Sequence, residues 1–206
     1  MLLELFERCL SQDYQHTEAG GSWAAEREGE GLFLWFEHSN GRKDWWNNLR
    51  FGAVPYREMD PPWMCHAGFL KVWKSVKPYV EPFILDPTVK SVQTVGYSHG
   101  AALAVLCHEY IWYRRRDLRE RMLGVGFGCP RVLYGCASGE VAKRWERFYV
   151  VRNLDDLVTH LPPRAWGFCH AGNLVEIGAE GRYSSIDAHR PEHYRTELQK
   201  PLFLPK

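Results

Sequence analysis

An α/β fold, with a mostly parallel central sheet flanked by helices, is predicted for this chain from three features of its sequence. Short apolar runs suited to buried strands recur at 31–37, 91–96, 122–128, 148–152 and 173–177. Between several of them lie segments whose apolar residues return every three to four positions, the helical period. Strands alternating with such helices give a parallel sheet covered on both faces. The third feature is size: 206 residues, 45% hydrophobic, are enough for one domain, residues 1–206, that buries roughly 70% of its unfolded surface.

Each element has its own signal. The opening MLLELFERCL carries Glu4 and Glu7 within its apolar run and has no basic segment, so it reads as a short amphipathic helix and not as a secretory signal. That reading places the protein in the cytoplasm, with Cys9, Cys65, Cys107, Cys129, Cys136 and Cys169 as free thiols. No CxxC pair occurs among them. In Cys65-His66, Cys107-His108 and Cys169-His170 the neighbours point apart, so each pair offers at most one ligand and no metal site is expected. Runs 22–28 and 31–37 flank Gly-Glu-Gly and read as a β-hairpin with a buried second strand, LFLWFE. Apolar residues at 69, 72, 73, 76, 80 and 83 keep a helical period, and Pro78 is expected to kink or shorten that helix. A second helix follows Gly100, with Leu103, Leu106, Cys107, Tyr110 and Ile111 on one face. It closes in Arg114-Arg115-Arg116, expected to be a solvated end that suits the helix dipole.

Charge excludes some partners. Basic and acidic residues number 26 and 25, a balance without the positive excess that nucleic-acid binding favours, so no nucleic-acid partner is expected. No stretch approaches the ~20 apolar residues of a transmembrane helix.

One motif carries chemistry. Gly96-Tyr97-Ser98-His99-Gly100 fits G-x-S-x-G, placed after a predicted strand and before a predicted helix. A tight turn there strains the central residue, demands small neighbours and lifts the serine hydroxyl above the sheet edge. A serine needs a base, and the base an orienting carboxylate. Asp155 and Asp156 follow the run 148–152, and His189 and His193 come later, which is the order serine, acid, histidine found on α/β-hydrolase sheets. His189 would stand in a loop before a final helix, with Pro191 in its first turn; His193 would lie inside that helix.

These blocks resemble the class 3 lipases, the fungal lipase-like α/β hydrolases. GYSHGAALA is similar to the family's elbow, usually GHSLGGALA, and FGCPRV at 127–132 to its FGSPRV. DLVTHLPP at 156–163 resembles D-I-V-P-x-L-P-P, whose leading aspartate is the triad acid. HAGNLVEI from His170, FEHSNGRKDWWNNL at 36–49 and HAGF at 66–69 complete a collinear set over roughly residues 22 to 195. The resemblance implies the α/β-hydrolase fold and hydrolysis of carboxylic esters, most of all lipid esters, through an acyl-enzyme. Ser98 is then the nucleophile, Asp156 the acid and His189 the base. The oxyanion hole falls to His99 and Ser39, Ser39 standing where the family's Arg-Gly-Thr has become Glu37-His38-Ser39. Trp45 and Trp46 lie where the family carries a lid, implying a short lid over 40–49 that contacts substrate or a lipid interface. No cofactor and no metal are implied. A phospholipase, a soluble-ester carboxylesterase and an inactive lipid-binding homologue remain the alternatives. His66, His160 and His170 are expected to be structural, and Asp155 to be a loop carboxylate that binds nearby N–H groups.

Overall fold

The computed structural model describes residues 1–37 and 52–201. In chain order its strands are β1 (Gln15–His16), β2 (Ser22–Glu28), β3 (Gly31–Glu37), β4 (Ala53–Tyr56), β5 (Trp63–His66), β6 (Ser91–Tyr97), β7 (Met122–Phe127), β8 (Leu133–Tyr134), β9 (Phe148–Asn153), β10 (Phe168–Cys169) and β11 (Asn173–Ile177). The main helices are α1 (Leu2–Leu10), α2 (Ala67–Leu85), α3 (His99–Arg114) and α4 (Pro191–Leu198).

Seven strands form one sheet in the order β1-β2-β3-β6-β7-β9-β11. The β2–β3 hairpin turns on Gly29, whose φ of +60° suits glycine. From β3 onward every pairing is parallel, with Phe36 opposite Gly96 and Gly96 opposite Gly126. The carboxyl ends of β6, β7 and β9 therefore open onto one edge. Side chains alternate along β3. Leu32, Leu34 and Phe36 join a core with Trp73 of α2 and Leu103 and Leu106 of α3. Phe33 and Trp35 join another with Phe6 of α1 and Tyr194 of α4. Helix α1 also meets α4 through an ion pair, Glu7 with the guanidinium of Arg195.

The helices depart from expectation in three ways. Helix α2 runs unbroken through Pro78 and Pro82. Both prolines and Lys74 are exposed, so the carbonyls that lose a helical donor, those of Lys74 and Pro78, lie on the solvent side. Helix α3 is buried on every face from His99 to Ile111, because it is sandwiched between the sheet and α2. Alanines at 101, 102 and 104 permit that close packing. Of the arginine run, Arg115 is not solvated: it is 8% exposed. Its guanidinium donates to the carbonyl oxygens of Ile84, Asp86 and Val89 and to the carboxylate of Asp117, closing the end of α2.

A second sheet, order β10-β8-β5-β4 and antiparallel throughout, was not legible in the sequence. It carries a disulfide, Cys136–Cys169, which corrects the expectation of six free thiols; Cys9, Cys65, Cys107 and Cys129 are free and buried. Glu109 of α3 forms a buried ion pair with Arg144, Oε1 to Nη1 at 2.7 Å. No helix among the described residues is long and apolar enough to cross a membrane.

Candidate active site

Ser98 follows the β6 strand and caps α3 with φ +58° and ψ −123°, the one non-glycine residue of positive φ among the described residues. Such a backbone costs about 1–3 kcal/mol and persists only where its surroundings impose it. The surroundings are close. A Cβ on Gly96 would lie 2.3 Å from the carbonyl oxygen of Gly100, and one on Gly100 would lie 2.2 Å from that of Phe36. Both glycines of G-x-S-x-G are therefore dictated by backbone contact. The Ser98 N–H donates to Phe127 O at 2.9 Å, pinning the turn to the end of β7.

Ser98 Oγ lies 2.7 Å from His189 Nε2, and His189 Nδ1 lies 2.7 Å from Asp156 Oδ2. The carboxylate only accepts, so Nδ1 carries the proton and Nε2 is free to take one from the serine hydroxyl. Asp156 follows β9 and caps the next helical turn, its Oδ1 accepting from Val158 N–H at 2.9 Å. Its Oδ2 also accepts from the Tyr194 hydroxyl at 2.6 Å. Asp156 is fully buried, while the His189 side chain keeps 18% of its surface.

His193 stays outside this chain of bonds. Its Nδ1 pairs with the Asp187 carbonyl oxygen at 2.6 Å, and its ring stacks on Tyr183. Asp155 accepts the N–H groups of Gly181, Arg182 and Tyr183, which hold its carboxyl below the usual range. His66 caps α2 by accepting from Phe69 N–H, and burial pushes its pKa down to about 4. His170 pairs with the Thr159 carbonyl oxygen. His99 is buried with its ring 5.6 Å from that of Phe69. Ser39, Trp45 and Trp46, together with the expected lid, lie outside the described residues.

Sequence reasoning missed four residues here. Tyr194, on the helix after His189, bonds to Asp156 through its hydroxyl. Gly128, at φ +57°, leaves the room the His–Asp pair needs, since a Cβ there would sit 2.9 Å from His189 Cε1. Buried Asn153 donates to Ala188 O at 3.0 Å, holding the turn before His189. Tyr97 contacts His189 itself. The glycine after a strand is the one signal that could have been read; the others are ordinary strand and helix residues.

A family model described as Lipase (class 3) matches residues 33–166. The chain belongs to the class 3 lipase family. A lipase of Rhizomucor miehei is 31% identical over 147 residues, 68% of this chain and 40% of that one. The secreted mono- and diacylglycerol lipase 1 of Fusarium solani is 30% identical over 135 residues, 62% of this chain and 38% of that one. The solved structure of the Rhizomucor miehei triacylglyceride lipase superposes with a TM-score of 0.70 at 25% identity, covering 81% of this chain and 68% of the other. The fold is thus the α/β-hydrolase fold. This class 3 lipase chain spans about two fifths of the length of the curated relatives it matches.

The cytoplasmic expectation is corrected. Relatives from Fusarium and Malassezia are named as secreted lipases, which points outside the cell, and the Cys136–Cys169 disulfide agrees, since such bonds persist in oxidising surroundings. The expectation had rested on the character of ten residues, which says nothing of the compartment where thiols pair.

Proposed function

We propose that this chain is a serine hydrolase of carboxylic esters, with lipid esters as its substrates, working through an acyl-enzyme. The single observation that carries the reading is the hydrogen-bonded chain Ser98–His189–Asp156 hung on a serine of left-handed backbone. Ser98 Oγ attacks the ester carbonyl as His189 Nε2 takes its proton. Asp156 holds the imidazole by Nδ1 and balances the imidazolium. The tetrahedral oxyanion is received by the His99 N–H with Ser39, and each such donor is worth about 3 kcal/mol of transition-state stabilisation. Collapse expels the alcohol, which receives the proton from His189. Water, activated by the same base, then releases the acid. Trp45 and Trp46 are the residues we assign to contact with the acyl chain or the lipid surface.

Labelling with a fluorophosphonate and mapping of the modified residue test this reading. Modification of Ser98 is expected; labelling elsewhere, or none in folded protein, overturns it. Hydrolysis of emulsified triacylglycerol, of phospholipid vesicles and of a soluble short-chain ester, compared at equal labelled enzyme, ranks the substrates.

A further inference from the structure

Two aromatic rings border His189 apart from its hydrogen bonds to Ser98 and Asp156: Tyr194 stands edge-on at 6.4 Å, and Tyr97 lies against the ring face. Tyr97, the last residue of β6, is 5% exposed. Its ring lies nearly parallel to the imidazole, with centroids 5.3 Å apart and planes inclined by 19°. Its hydroxyl donates to the main-chain carbonyl oxygen of His189. The tyrosine ring is itself held edge-on by Phe6 at 5.5 Å and Tyr194 at 5.9 Å.

His189 needs such support because of where it stands. It closes a three-residue 3₁₀ turn, Asp187–His189, that follows Ile186, a residue 73% exposed. Asp156 fixes one ring nitrogen but neither the plane of the ring nor the height of the backbone. A ring free to tilt about Cα–Cβ would move Nε2 away from the serine hydroxyl, and a misplacement of 1 Å costs about 10²-fold in rate.

We propose that Tyr97 is a positioning residue for His189: its hydroxyl ties down the base's main chain and its ring face sets the imidazole plane, so that Nε2 stays on Ser98 Oγ. The proposal rests on His189 being the base. Tyr97 and Ser98 are consecutive, so one stretch of backbone carries both the nucleophile and the brace for its partner. Any shift in the end of β6 then moves both together. When the imidazole takes the serine proton, the cation forms against the electron-rich ring face, which attracts it.

Tyr97→Phe keeps the ring and removes the tether, while Tyr97→Leu removes both. In Tyr97→Leu kcat should fall about 10²-fold with KM nearly unchanged, and the rate of fluorophosphonate labelling should fall in parallel. Tyr97→Phe should recover most of that loss, remaining about 3- to 10-fold below the parent. The downfield proton resonance of the His189–Asp156 hydrogen bond should broaden in Tyr97→Leu and stay sharp in Tyr97→Phe. A lower melting temperature with unchanged kcat and labelling rate per folded molecule would mean that Tyr97 merely packs the core, and would overturn the proposal. If Tyr97→Leu does not fold, Tyr97→Phe decides alone: kcat equal to the parent's overturns the proposal, and a 3- to 10-fold loss supports it. His189→Ala, run alongside, separates the two claims, because its loss of labelling upholds the base assignment whatever Tyr97 does.

Discussion

The two ends of α3 hold polar groups in opposite ways. At the N-terminal end Ser98, His189 and Asp156 form a chain that stops at a serine hydroxyl, with a strained backbone beneath it and a partly accessible histidine beside it. Toward the C-terminal end the cations are enclosed. Arg115 is ringed by three carbonyl oxygens and a carboxylate. Arg144, 3% exposed, lies against Glu109 and also donates to the carbonyl oxygens of Asp60 and Pro61. A polar network with every donor satisfied ties elements together and can do nothing else. Chemistry is found where a network ends on a group still able to exchange a proton.

The sharpest way to break this contrast is to remove the open network. Ser98→Ala and His189→Ala should each lower kcat on a soluble ester by a factor of about 10⁴ or more, while the melting temperature changes by only a few degrees. A matching collapse in melting temperature would place both residues among the structural ones. The closed network should respond the other way. Arg144→Leu strands the Glu109 carboxylate in the interior, where one oxygen, Oε2, already lacks a hydrogen-bond partner among the described residues. It should cost about 3–5 kcal/mol in urea unfolding, with kcat per folded molecule retained. Burial pushes the Glu109 carboxyl up to about 7 despite the pull of Arg144, so the penalty should be smaller at pH 5, where the stranded group is neutral, than at pH 8.

Acid should weaken the interior through three histidines. Burial depresses His66 and His170 to about 4 and His108 to about 3 from an ordinary 6.5. Between these values and 6.5 the unfolded chain binds protons that the folded chain refuses. Stability is therefore fully present above 6.5 and falls as pH drops, by about 1.4 kcal/mol per pH unit for each histidine. Urea unfolding from pH 7 to 4.5 should show that slope, and His108→Gln should remove about a third of it. The smallest effect belongs to His193→Ala, which loses a bond to the Asp187 carbonyl and a stack on Tyr183. It should cost about 1 kcal/mol and leave kcat within roughly two- to threefold. A large loss of activity there would move the base four residues along the chain.

Much of the main sheet was legible because burial writes itself into composition: β2 and β3 have the bounds the hairpin reading gave them, and β6, β7, β9 and β11 lie within a residue of theirs. Strands β4, β5, β8 and β10, of two to four residues, are too short to show a period, so the second sheet stayed hidden. The arginine run misled because three adjacent cations look alike in sequence, and only the end of α2 distinguishes Arg115. Ser98 could be nominated from a strained motif, and the pairs Asp155/Asp156 and His189/His193 from a required order of chemistry; the family resemblance singled out Asp156, and together with the helix expected after Pro191 it singled out His189. Tyr97 could not, since an aromatic residue closing a strand is ordinary until the ring it faces is known. The pairing of Cys136 with Cys169 was unreadable for a similar reason: spacing does not give connectivity.

The ion pair between Glu7 and Arg195 joins residues 188 positions apart, and so binds the first helix to the helix that follows His189. Closing a loop of that length costs only about 0.6 kcal/mol more than closing one half as long. The helix after His189 is thereby tied to a helix near the start of the sequence, outside the sheet that leads into Ser98.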